Sequence, residues 1–243
     1  MTLLEDVLAA HGGAERWARA RRVRARIHSG GLLLGTRARQ LRGGAVLEVG
    51  IGEPWGSAVA DAQPGRRAIF DDGAVRIETL DGEVLEARSD PRGAFFGRSG
   101  LRRNLRWDDL DATYFAGYAW WNYLNHPYLL TRDDMVVREL EPWREGDETW
   151  RRLEARFPAG LDTHCPVQVF YYDRDVRLRR HDYAPEVIGG WARAAHMCAD
   201  HIEAGGLLFP RSRRVVPRGP GNRPLPFPTL VSLHVSEIEV EIA

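Results

Sequence analysis

The stretch WDDLDATYFAGYAWWNYLNHP, residues 107–127, constrains this chain more than any other. It reads as one helix: Asp108 can cap it, Asp109 and Asp111 favour the positive end of its dipole, and Pro127 stops it. Seven of the chain's tryptophans, tyrosines and phenylalanines (8, 7 and 8 in all) fall between positions 114 and 128. At ~100° per residue, Tyr114, Tyr118 and Trp121 lie within about 60° of one another, with Asn122 beside them. Phe115, Trp120 and Tyr123 point elsewhere. A helix that is aromatic all round must be covered on several sides. Either it is buried as core, or its Tyr114/Tyr118/Trp121 face lines an aromatic-walled pocket, and the two readings are compatible.

What surrounds this helix reads as strands. From residue 22 to 88 short alternating segments are separated by glycine pairs at 30 and 43 and by Asp72-Gly73 and Asp81-Gly82, as in an antiparallel meander. A glycine- and arginine-rich loop follows at 89–104. After the helix, MVVREL and TWRRLEARF form one hairpin, and VQVFYYD with RLRRHDY forms another, turning at Asp173-Arg174-Asp175. GLLFPRSRRVV is a strand, and its RSRR reads as a solvated face. In the last strand Val231, Leu233 and Val235 share one face, then Ile238, Val240 and Ile242 the other, which predicts a bulge near Ser236. At the start, Thr2 caps a helix with Leu3, Leu4, Val7 and Leu8 on one face. The expected architecture is a single mainly-β domain, 1–243: nine to eleven antiparallel strands in a curved, unclosed barrel with an N-terminal helix and one long aromatic helix.

Composition narrows the partners. Acidic and basic residues cancel at 34 each, so no overall field favours nucleic acid. There is no lysine; every base is arginine. No run approaches 18 apolar residues, which argues against a membrane-spanning helix. Two cysteines, Cys165 and Cys198, make no disulfide framework. Glu5 and Asp6 stand where a signal peptide would be apolar, so a cytoplasmic location is expected.

Three stretches carry a resemblance: AAHGGAERWARARRVRARI, VFYYDRDVRLRRHDY and GGLLFPRSRRVV. In order and spacing they resemble the opening helix and strand, the tyrosine–aspartate hairpin and the Phe-Pro strand of the LolA/LppX-like lipoprotein-carrier superfamily. Together they cover about a fifth of the chain. The resemblance implies an unclosed antiparallel barrel whose concave side holds an apolar ligand under a helix. It also implies that residues 191–203 are a strand, against their helical propensity. The cytosolic enzyme VioE, similar in fold, is the nearest functional analogy.

On that reading five side chains at 181–201 need placing. His181 and Tyr183 share a face, with Arg180 and Asp182 opposite; His196, Cys198 and Asp200 share a face, with Met197 and His201 opposite. Residues two apart on a strand are ~6–7 Å apart, too far for His196, Cys198 and Asp200 to hold one zinc ion, so no metal is expected. Phosphate loops, dinucleotide fingerprints and nucleophile elbows are lacking, and no cofactor is expected. A cross-strand couple of His181 or Asp182 with His196 or His201 fits better, as a polar pair or as an acid–base set. The expected sites are therefore His196, His181, Asp182 and Tyr118 for catalysis. Tyr114, Trp121, Asn122, Tyr172 and Tyr183 are expected for ligand contact. The leading functional expectation is a cofactor-independent isomerase, cyclase or lyase acting on an apolar, aromatic or polyketide-like small molecule. The alternative is a non-catalytic carrier for a lipid or other hydrophobic ligand. A homodimer is compatible with either.

Overall fold

The computed structural model describes residues 2–97, 100–101 and 104–243. The 89–104 loop therefore lies partly outside the described residues. Four helices are formed among the described residues: α1 (Leu3–Ala10), α2 (Ala14–Arg19), α3 (Leu32–Arg37) and α4 (Asp109–Asn125). Thr2 with Glu5, and Asp108 with Asp111, close reciprocal capping boxes that start α1 and α4 where the sequence places them.

The strands run in two arms. The first is β1 (Ala20–Gly30), β2 (Gly43–Gly50), β3 (Trp55–Ala60), β4 (Arg66–Asp71), β5 (Ala74–Thr79) and β6 (Val84–Arg88). After α4 come β7 (Val136–Glu145), β8 (Glu148–Arg156), β9 (Val167–Tyr172) and β10 (Leu178–Tyr183). The second arm ends with β11 (Ala194–Ala204), β12 (Leu207–Pro217) and β13 (Val231–Ile242). All belong to one sheet, ordered β6-β5-β4-β3-β2-β1-β13-β12-β11-β10-β9-β8-β7, with every pair antiparallel. The first arm walks outward from β1, the second walks back in, and the two ends of the chain meet as β1 and β13 at the centre. Edges β6 and β7 do not pair, so the barrel stays open.

Thirteen strands exceed the expected nine to eleven. The undercount lies at 43–71, where IGEP and DAQPG turn the chain without the glycine pairs that mark the other reversals. Helix α3, between β1 and β2, was also not anticipated. The strand implied at 191–203 forms from Ala194 onward. The bulge in β13 sits at Ser236: Arg26 pairs with Glu237 and Ile27 with Val235, leaving Ser236 unpaired. Its hydroxyl donates to the Arg26 carbonyl at 3.2 Å.

Helix α4 lies on the inner face of β2–β5, where Leu47, Val49, Phe70, Val75 and Ile77 form its bed. The approach is closest at Gly117. A Cβ there would stand 2.3 Å from the Phe70 Cβ, a rigid position that cannot swing away. Gly117→Ala should therefore destabilise the fold by about 1–3 kcal/mol through overpacking, although alanine is the better helix former by about 1 kcal/mol. A urea titration checks this, and an unchanged or raised midpoint would show that the helix can lift without cost.

Candidate functional site

Between α4 and the sheet a cavity of about 150 Å³ remains. Its origin is local: small side chains face one another across the gap. Gly56, Ala58 and Ala60 occupy alternate positions of β3, Ala45 and Ala68 flank them on β2 and β4, and Ala112, Ala116 and Ala119 look back from α4. Leu47, Phe70, Ile77, Phe115 and Trp120 complete an apolar wall, and exposed Arg42, Gln63 and Arg66 stand at the mouth. A space of this size accepts roughly one small ring or a few methylenes.

This wall is not the face of α4 expected to line a pocket. Tyr114, Tyr118 and Trp121 are buried outside the cavity lining, the first two against the 157–166 segment. The Tyr114 hydroxyl donates to Asp162 at 2.5 Å, and the Tyr118 hydroxyl meets His164 Nδ1 at 3.2 Å. Large rings fill space; the cavity opens where the opposite face carries alanine. Tyr172 is remote as well, its hydroxyl 3.1 Å from His126 Nε2. Of the residues expected to contact ligand, Tyr183 reaches the cavity wall and Asn122 lines a second, much smaller void.

Behind the cavity, buried polar rings form a chain. His164 Nε2 lies 2.7 Å from the Tyr123 hydroxyl, which lies 3.3 Å from that of Tyr183, itself 3.3 Å from His196 Nδ1. The Tyr183 ring stacks on His164 at 3.9 Å. His181 faces His196 across β10 and β11, their rings 5.9 Å apart. Gln168 donates through its amide nitrogen to Thr163 Oγ1 and the Cys165 carbonyl, so its Oε1 accepts from His181 Nε2 at 2.6 Å. That bond assigns the proton of His181 to Nε2.

Burial sets the charge state of this cluster. Desolvation, reinforced by the neighbouring Arg92 cation, lowers the His164 pKa to about 3. Desolvation also holds His181, His196 and His126 well below the usual imidazole value, with neighbouring histidines and Arg213 adding to it. It pushes the Tyr118, Tyr123 and Tyr183 hydroxyls up. Near neutral pH the rings are uncharged donors and acceptors.

The expected His–Asp couple does not form. Strand alternation sends His181 inward and Asp182 outward, and the register sets Asp182 opposite Ala195. Asp182 instead accepts from Arg180 Nε at 2.7 Å and Nη2 at 2.9 Å, Arg218 at 3.0 Å and Tyr171 at 2.8 Å, all under the 217–228 loop. Pairing of β11 with β12 keeps one register from Ala194–Pro217 to Ala204–Leu207, and within it Asp200 has φ 52°. His201 turns toward His11, and burial lowers its pKa to about 4.

RSRR is not wholly solvated either: Arg213 is only 3% exposed. Its guanidinium lies over the Tyr123 ring at 4.8 Å. His164, Tyr123 and Arg213 are the functional candidates the sequence did not single out. His164 sits in a loop without periodicity, and nothing local marks Arg213 as inward-facing beyond its alternation with Val215. Among the described residues no group of histidine, cysteine and carboxylate side chains could hold a metal ion, and no helix is long and apolar enough to cross a membrane.

No protein-family model matches the chain, and no curated protein matches it. Solved structures do. A LolA superfamily protein of Nitrosomonas europaea superposes with a TM-score of 0.51 at 10% identity, over 100% of this chain and 96% of that one. A DUF1329 family protein of Desulfovibrio piger superposes with a TM-score of 0.53 at 11% identity, over 98% and 92%. The chain has a LolA-like fold.

Proposed function

We propose that this chain, built on a LolA-like fold, is a binding protein for an apolar small molecule or lipid held between α4 and β2–β5. The observation that carries the proposal is the alanine- and glycine-lined cavity of about 150 Å³ under a helix whose other faces are tightly packed. A core of this size ordinarily closes such a gap, because unfilled volume costs stability. Eight small side chains meeting at one place keep it open.

Calorimetric titration with 1-octanol, a neutral apolar probe, tests this. Saturable binding is expected in the parent. Ala58→Leu and Ala116→Leu, which grow into the void from opposite walls, should each weaken binding at least tenfold while leaving the melting temperature unchanged or raised. Absence of saturable binding, or binding undisturbed by both substitutions, overturns the proposal.

A second reading, cofactor-independent proton transfer on a bound aromatic or polyketide-like molecule, rests on Tyr183, which lines the cavity and touches His196. His196, His181 and Tyr118 would supply the acid–base groups. It has less support than binding. General acid–base catalysis works best with a pKa near the operating pH, and burial drives these imidazoles down and these phenols up. Asp182 takes no part, since it faces the other side of the sheet.

A further inference from the structure

Arg213 is a cation enclosed by the protein without a carboxylate. Among the described residues no aspartate or glutamate forms an ion pair with it. Its contacts are weak ones: Nη1 to the Cys198 sulfur at 3.5 Å, Nη2 to the Tyr123 carbonyl at 3.4 Å, and the face of the Tyr123 ring. Nε is buried and has no partner. A guanidinium stays charged in any protein environment, and an isolated buried charge is costly unless something compensates it. The imidazoles around it are neutral and offer no countercharge. Arg180, the other buried arginine among the described residues, is by contrast paired with Asp182 through two bonds.

The guanidinium borders the second void, about 10 Å³, whose polar wall is Asn122, Gln168, His126 and His181. That volume holds about one water-sized atom. Tyr123 is the wall this void shares with the main cavity. Apolar space for a hydrocarbon and a buried, donor-rich cation are thus separated by one aromatic ring. On the sheet the two are neighbours: Arg213 pairs with Leu233, which lines the main cavity, and Leu233 pairs with Ser29, which lines it too.

We infer that Arg213 receives an anionic oxygen, so that the ligand of this cavity is an apolar carboxylic acid rather than a neutral lipid. The inference rests on the binding function proposed above and specifies its ligand. The hydrocarbon occupies the alanine-lined space, and one carboxylate oxygen passes the edge of Tyr123 into the second void to meet the Arg213 guanidinium in a charge-assisted hydrogen bond. A free halide on the same guanidinium is the other source of a single negative atom.

The test compares sodium octanoate with 1-octanol by calorimetry at pH 7.5, in sodium chloride and in sodium gluconate at equal ionic strength. In the parent, octanoate should bind at least tenfold more tightly than octanol. Arg213→Gln should abolish that preference and leave octanol binding intact. Arg42→Gln/Arg66→Gln, which removes both rim cations, should retain it. Chloride that weakens octanoate but not octanol also supports the assignment, as competition for one cation. Equal binding of acid and alcohol by the parent overturns the inference while the apolar cavity stands, and requires no variant to fold. Loss of preference in the rim variant but not in Arg213→Gln overturns it by moving the carboxylate to the mouth. Failure of both probes to bind refutes the binding function itself.

Discussion

Acidification from pH 7 toward pH 4.5 is expected to unfold this protein cooperatively. Five buried histidines, at positions 11, 126, 164, 181 and 196, and the half-buried His201 have pKa values below the ordinary 6.5, in each case chiefly through desolvation. His164 falls to about 3 and His201 to about 4. Between such a value and 6.5 the unfolded chain binds the proton and the native chain does not. Stability is therefore fully present above about pH 6.5 and drains away as pH falls toward the native value. Each such group contributes up to about 1.4 kcal/mol per pH unit. Several such groups acting together draw on a typical stability of only about 5–15 kcal/mol. Asp162, whose carboxyl is raised by burial, works in the opposite direction but is a single group. Near-ultraviolet circular dichroism between pH 7 and 4 reads the packing of the aromatic core directly. A spectrum unchanged at pH 4 would mean that these imidazoles accept protons without leaving the core, and that their neutral state is not a property of the fold.

The groups that drive this transition were only partly legible in the sequence. Local chemistry was: Asp108 and Asp111 fix the start of α4, and the phase change from Val235 to Ile238 betrays the bulge at Ser236. The strand at Ala194–Ala204 was legible only through resemblance, because its alanines favour helix and cross-strand pairing overrides that weak preference. Periodicity tells which residues share a face, but not what the face meets. On α4 the aromatic face drew attention, yet Tyr114, Tyr118 and Trp121 are packed, and the space lies over Ala112, Ala116 and Ala119. The alternating small residues of WGSAVA, opposite an alanine-bearing helix face, were the signal for a cavity. His164 and Arg213 gain their meaning from partners 40 to 90 positions away (Tyr123 for both), which no local pattern encodes.

Replacing Asp182 by alanine should cost about 3–5 kcal/mol, the range for removing one partner of a buried ion pair. The carboxylate is 2% exposed and meets Arg180, whose guanidinium is wholly enclosed, through two bonds. Without it Arg180 keeps Glu145 at 3.3 Å and the Asn222 carbonyl at 2.6 Å, and Arg218 and the Tyr171 hydroxyl lose an acceptor. For a chain of this length that corresponds to a fall in melting temperature of about 6–20 °C. The Arg132–Asp134 pair provides the contrast. It has the same bidentate geometry, but both side chains are solvated, and Asp134→Ala should leave the urea midpoint essentially unchanged. Urea denaturation of the two variants side by side decides the matter, and equal losses would show that the Asp182 network is as dispensable as a surface pair. The network also bears on the cavity. It binds the 217–228 loop to the outer face of β9 and β10 through Asn222 and Arg218, and the same alternation that holds Asp182 outward holds His181 and Tyr183 inward. Asp182→Ala should therefore loosen the wall that Tyr183 gives the cavity without touching a residue that lines it.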